Sequence, residues 1–355
     1  MTSRRRFLAG AIAAGIIPAR GWASVGNPKY LSAARRPNGG YVLVGLRGDG
    51  SIAFEVPLPA RGHAAAGHPE RAEAVAFARR PGTYAVVLDC NDGSVLAHLE
   101  SPAGRHFYGH GVFSKDGNLL YTTENNFDGA AGVIGVWDTA NGYRRIGEFS
   151  SGGVGPHEIL RLPRKDLFAV ANGGIHTHPS TGREKLNLQH MRPNLTYLDG
   201  EGRVVQRVQL EDAWHLNSVR HLAIGLSGQV AFAMQWQGEV WDSPPLVGLH
   251  RLGEEARFCA APEAPHLAMK GYAGSVAYCG SGAWLAISSP RGGFVQRFNA
   301  TSGVFLGAIG AADVCGISGA GMGMMATSGT GHVVGIQEEI AAHHKLAFDN
   351  HLVKI

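Results

Sequence analysis

Short apolar runs of four or five residues alternate along the chain with clusters of Gly, Asp, Asn, Pro and Ser, and no stretch carries the spacing of an amphipathic helix. One unit recurs: a short strand, a turn carrying Gly or Asp, then a second apolar strand. It is read in YLSAARRPNGGYVLVGL, AVAFARRPGTYAVVLD, HGVFSKDGNLLYTTEN, HEILRLPRKDLFAVANGG, RHLAIGLSGQVAFAMQW, GSVAYCGSGAWLAISS and CGISGAGMGMMATSG. Aligned on their turns, these seven copies put Ser32, Val75, His110, His157, His221, Ser275 and Cys315 at matching positions. The separations scatter around the period of about 40–50 residues expected of propeller blades. VWDTANGYRRIGEF and QRFNATSGVFLGAI add a second hairpin to the unit. The pattern predicts an all-β chain: a seven-bladed β-propeller of four-stranded antiparallel blades, a ring that leaves few exposed edges. A β-sandwich accounts for the strands but not for seven equivalent inner ones.

Two segments stand outside the repeat. GGIHTHPSTGREKLNLQHMRPNL, at about residues 173–195, has no clean period and is long for a connector, which marks it as functional. At the start, SRRRFL followed by an apolar run from Phe7 to Ile17 reads as a twin-arginine export signal over residues 1–23, with residues 24–355 as the propeller. That run is too short to span a bilayer. The expectation is a periplasmic protein exported folded, with no stable membrane span after signal removal.

The leader also explains the charge. Without residues 1–23, which hold Arg4, Arg5, Arg6 and Arg20, the basic count falls from 32 to 28 and equals the 28 acidic residues. A near-neutral remainder offers no nucleic-acid footprint and no polybasic membrane patch. The four cysteines, Cys90, Cys259, Cys279 and Cys315, have no CxxC spacing. They permit two disulfides, with a pairing that spacing does not reveal, in a chain long enough to bury its core without them.

Histidine is the unusual feature, with 17 copies. Inner strands line the channel of a propeller, so matched positions in successive blades are neighbours in space. Three consecutive repeats place His110, His157 and His221 there, with His106, Glu158 and Arg220 beside them in sequence, and His176 and His178 of the long insertion within reach of the same mouth. Several imidazoles desolvated together are costly unless a cation, an anion or water satisfies them. With a carboxylate they form an N/O site suited to a borderline transition metal such as iron, copper, zinc or nickel. The competing reading leaves each ring hydrogen-bonded to backbone. Arg105, Arg183, Lys185 and Arg220 lie near the same mouth and prefer carboxylate or phosphate, which fits a metal chelate; alternatively they pair with Glu124 and Glu158. His63 and His68 are assigned either to the rim or to solvent, and His351 to surface or packing. Met322, Met324 and Met325 read as core rather than a copper site. GxSxG, HExxH and CxxCH motifs are absent.

The segments FARRPG, GRHFYGHGVFSKDGNLLYTTEN, GVIGVWD, GVGPHEI, ANGGIHTHPSTGREKLNL, RHLA, GYAGSVA and SPRGG resemble a bacterial family known as domain of unknown function 1513. The resemblance implies a periplasmic propeller similar to quinoprotein amine dehydrogenase-like and lactonase-like ones. It also implies a neighbourhood of imelysin-like and di-haem oxidoreductase-like proteins, linked to iron uptake or copper, which puts iron first and copper second as the metal.

Three functions are open at this level. The first is a metal-handling protein that binds an ion or its chelate at the channel mouth and passes it on, with other periplasmic metal-uptake proteins as partners. The second is a metal-dependent hydrolase or lactonase, in which the ion activates water and Glu158 or an imidazole moves protons. The third is an interaction scaffold without metal.

Overall fold

A computed structural model describes residues 21–79, 83–163 and 165–355. Of the leader assigned to residues 1–23, residues 1–20 lie outside the described residues. The chain forms seven antiparallel sheets arranged as a propeller, six of four strands and one of five. Blade 1 holds Tyr30–Arg35, Tyr41–Leu46 and Ile52–Leu58, with Ala347–Phe348 and Val353–Lys354 both paired to Tyr30–Arg35. The two C-terminal pieces together make its innermost strand, so the end of the described chain closes the ring onto its beginning. The inner strands of blades 2 to 7 are Gly62–Gly67, Arg105–Phe113, Pro156–Arg161, Asn217–Ile224, Ser275–Tyr278 and Val314–Ala320.

The apolar pattern explains the layering. Middle strands are packed on both faces by neighbouring blades and read as continuous apolar runs, as in Trp284–Ser289, buried throughout. Outermost strands such as Val204–Gln209 and Phe305–Gly310 alternate between exposed and half-buried, because one face meets water. Seven apolar clusters fill the structure, one at each blade–blade interface; Phe77, Phe107 and Trp137, for example, join blades 2 and 3. All four cysteines are free and buried in these layers, and burial pushes the Cys90 thiol up to about 12.

The long insertion lies in blade 4, between Leu167–Asn172 and Asn194–Asp199, and carries two short turns of 3-10 helix, Pro179–Thr181 and Leu188–His190. It is folded onto the barrel by its own polar groups. Asn187 accepts from the His176 N–H at 2.7 Å and donates to the Gly174 carbonyl at 2.8 Å.

Candidate metal centre

Regular strands point successive side chains to opposite faces, and a bulge re-aims one of them. Four inner strands carry such an irregularity at or beside a histidine. In blade 4, His157 is the extra residue between the pairs Pro156–Asn172 and Glu158–Ala171. In blade 5 the extra residue is Arg220, directly before His221. His110 of blade 3 lies in the break between the Phe107–Glu124 and Gly111–Thr122 pairs, and His63 of blade 2 between Gly62–Ala78 and Ala65–Ala76. Blade 1 supplies a fifth, His351, where its inner strand is interrupted between Phe348 and Val353. Blades 6 and 7 offer small residues at the same level. Gly316 is one of them, and a Cβ there would stand 2.5 Å from the Leu352 nitrogen, so glycine lets the His351 segment approach.

The five rings form one cluster on the channel axis, four of them buried and His63 half-buried. Ring centroids are 4.5 Å apart for His63 and His351, 4.6 Å for His110 and His351, 4.8 Å for His110 and His157, and 4.7 Å for His157 and His221. Two triads, His63–His110–His351 and His110–His157–His221, each offer three nitrogens within 4.8 Å of one another, with His110 common to both. A metal–nitrogen bond of about 2.0–2.1 Å puts tetrahedral donors about 3.3 Å apart. The Nε2 atoms of His63 and His351 are already at 3.3 Å, and the remaining donors need shifts of the order of an ångström.

Glu158 enters from beside His157. One oxygen accepts the Leu222 N–H at 2.9 Å, and the carboxylate stands 3.8 Å from His110 Nδ1 and 3.5 Å from His221 Nδ1. The last two contacts are too long for hydrogen bonds. His63 Nδ1, His110 Nε2, His157 Nδ1 and His221 Nδ1 are buried and have no hydrogen-bond partner among the described residues.

Desolvation dominates the electrostatics. Burial, reinforced by the neighbouring rings, holds His63, His110 and His157 well below the ordinary imidazole range. His221 is lowered to about 3 by burial and then by Arg220. His351 is lowered to about 4, chiefly by burial, while burial raises Glu158 to about 7. Neutral imidazoles are the form that binds metals. The donor set, five imidazoles and one carboxylate with no thiol, fits a first-row transition ion.

The residues singled out in the sequence separate into three places. His110, His157, His221 and Glu158 meet on the axis. Arg183, Lys185 and Arg220 line a cavity of about 450 Å³ that opens onto His63, His157 and His221. The structure does not bring His106, His176 and His178 to the cluster. His106 contacts Asn125 Nδ2 through Nε2 at 3.1 Å and stacks on Phe127. The ring of His176 reaches the Phe127 carbonyl at 2.7 Å, and that of His178 lies 3.2 Å from Asp128 and against the Phe127 ring. His176 and His178 pin the insertion to blade 3, where Asn125 Nδ2 also donates to the Thr177 carbonyl at 3.1 Å. His106 and His110 share a strand, but the break between them sends the two rings to different surroundings. Arg105 and Glu124 also lie elsewhere, in an ion-pair network in which Arg145 grips the fully buried Glu124 and Arg105 pairs with Glu148.

His351, assigned to surface or packing, lies on the axis instead, and His63, assigned either to the rim or to solvent, joins it there. In blades 1 and 2 the segments RRPNGG and ARRPGT stand in sequence between the second and third strands, whereas in the other five the matching segment stands between the first and second. Ser32 and Val75 are therefore one strand out from the channel, and the positions equivalent to His110 belong to His351 and His63. The usable signal was the short strand GHAAAG just before the second repeat.

The sequence model of the family described as "Protein of unknown function (DUF1513)" matches residues 56–355, and the chain belongs to that family. No curated protein sequence matches it. Among solved structures, the chain is similar to the one titled Kuenenia stuttgartiensis Hydrazine Synthase, with a TM-score of 0.63, 14% identity, and 88% of this chain and 96% of that one covered. It is also similar to a chain of a structure titled Crystal Structure of Mitotic Checkpoint Complex, with a TM-score of 0.54, 12% identity, and 82% and 78% covered. At these identities the likeness is one of fold.

Proposed function

We propose that this member of the DUF1513 family is a metal-handling protein that holds a transition ion on its channel axis. His63, His110, His157, His221 and His351 serve as nitrogen donors and Glu158 as the oxygen donor. One observation carries the reading: four rings with a buried, unpartnered nitrogen belong to two overlapping triads, His63–His110–His351 and His110–His157–His221, each able to offer three nitrogens within 4.8 Å of one another. Orphaned polar atoms are costly in a low-dielectric interior, and a cation supplies the missing interaction to all of them at once. Iron, as the ion or in complex with an organic acid, is the first candidate and copper the second, since imidazole serves both. Export through the twin-arginine route and a periplasmic role in metal uptake complete the proposal. The hydrolase alternative draws support from Glu158, whose raised acidity range suits a base beside a metal-bound water.

Titration of the purified, chelator-treated protein with ferrous, ferric, cuprous and cupric ions tests the reading. One of these ions is expected to bind, with affinity reduced at least about tenfold in His157→Ala and further in His110→Ala, which removes a ligand from both triads. Unchanged binding in both variants refutes the site. Turnover of a lactone panel that disappears with chelator would select the hydrolase.

A further inference from the structure

The histidine cluster separates two cavities of different character. One, of about 310 Å³, is lined by Glu158, His221, His351 and mostly apolar side chains such as Leu222 and Val276. The other, of about 450 Å³, carries Arg79, Arg183, Lys185, Arg220, Lys270 and Arg291 in its wall, and no carboxylate among the described residues that line it. Six cationic side chains around one concavity, with Asp349 3.8 Å from Arg79, make its wall strongly positive and suited to an anion. The crowding is visible in individual groups. Lys185 is held below its ordinary range by partial burial and then by Arg220 and Arg291. Arg79 is lowered by burial, with Arg61 and Arg183 adding to the effect and Asp349 opposing it. The wall also holds the Arg291 guanidinium in place, 4.3 Å over the Tyr272 ring, and Gln235, Gln237 and Asn350 add amide groups. A concavity of this size at the channel mouth admits a small molecule and excludes a folded partner.

We propose that this cavity binds a small, multiply charged oxyanion, a polycarboxylate or a phosphate, which caps the metal held by the histidines beneath it. Guanidinium groups match both chemistries through paired N–H donors. The anion site stands on its own residues; its capping role rests on the metal-binding reading.

The test begins with calorimetric titration of the metal-free protein at low salt with citrate, inorganic phosphate and acetate. Citrate or phosphate is expected to bind at least tenfold more tightly than acetate, and the tighter of the two assigns the source. Arg183→Ser/Lys185→Ser is expected to weaken that binding at least tenfold, with an unchanged thermal midpoint as the check on folding; Arg291→Ser provides a second variant. Equal affinity for acetate and citrate, or unaltered affinity in both variants, overturns the anion site. Titration of the copper- or iron-loaded protein then addresses the cap. Anion affinity at least tenfold higher than in the metal-free protein supports it, since coupling between sites is reciprocal, and equal affinity overturns it. A protein that binds the anion but loads neither metal refutes the metal reading and the cap, and leaves the anion site standing.

Discussion

Acid is expected to destabilise the metal-free protein steeply, and the sign follows from the buried cluster. An imidazole with a folded value far below the unfolded 6.5 binds fewer protons in the native state, so its contribution to stability is complete above about 6.5 and is lost as pH falls toward the folded value. At pH 5 each such ring costs about 2 kcal/mol, taking about 1.36 kcal/mol per pH unit. His221 and His351 together then cost about 4 kcal/mol, and His63, His110 and His157, lowered in the same direction by burial, add to the loss. Glu158 acts in the opposite direction. Its carboxyl is raised from 4.5 to about 7, so the native state binds the extra proton between those values and gains about 2–3 kcal/mol by pH 5. Set against Glu158, His221 and His351 leave a net loss of about 1–2 kcal/mol, to which the other three rings add in the same direction, against a total of about 5–15 kcal/mol for an ordinary domain. Urea unfolding of chelator-treated protein, followed from about pH 7.5 to about pH 5, should show the midpoint collapse. Metal loading should move the collapse to lower pH, because protons must then compete with the ion. A midpoint flat across that range in the chelator-treated protein would show that the rings are hydrated or hydrogen-bonded and would sink the argument.

Other perturbations separate the axis from its surroundings. Gly109 has φ 94, and an added Cβ would lie 2.5 Å from His63 Cδ2, so Gly109→Ala should lower stability by about 1–3 kcal/mol in a denaturant titration and weaken metal binding through the displaced ring. Glu124→Gln leaves two arginines facing a neutral amide in a buried place; a loss of about 3–5 kcal/mol on unfolding is expected, with metal affinity unchanged, which checks that the Arg105–Glu124 network is structural.

The all-β class, the seven repeats and the hairpin within each unit were legible in the chain, because blade packing imposes period-two and continuous apolar runs that a linear reading detects. His110, His157 and His221 were legible for the same reason, since equivalent positions of consecutive repeats must be neighbours around an axis. Two matters were decided only by tertiary structure. The phase of blades 1 and 2 depends on which strand reaches the channel, and local pattern does not distinguish the first hairpin of a sheet from the second; the ring closure by Ala347–Phe348 and Val353–Lys354 settles it and brings in His351. Side-chain direction depends on bulges, which shift the register by a residue or two without a composition of their own. That shift is why His106, four residues before His110, stacks on Phe127, and why His63, far away in the chain, touches His351.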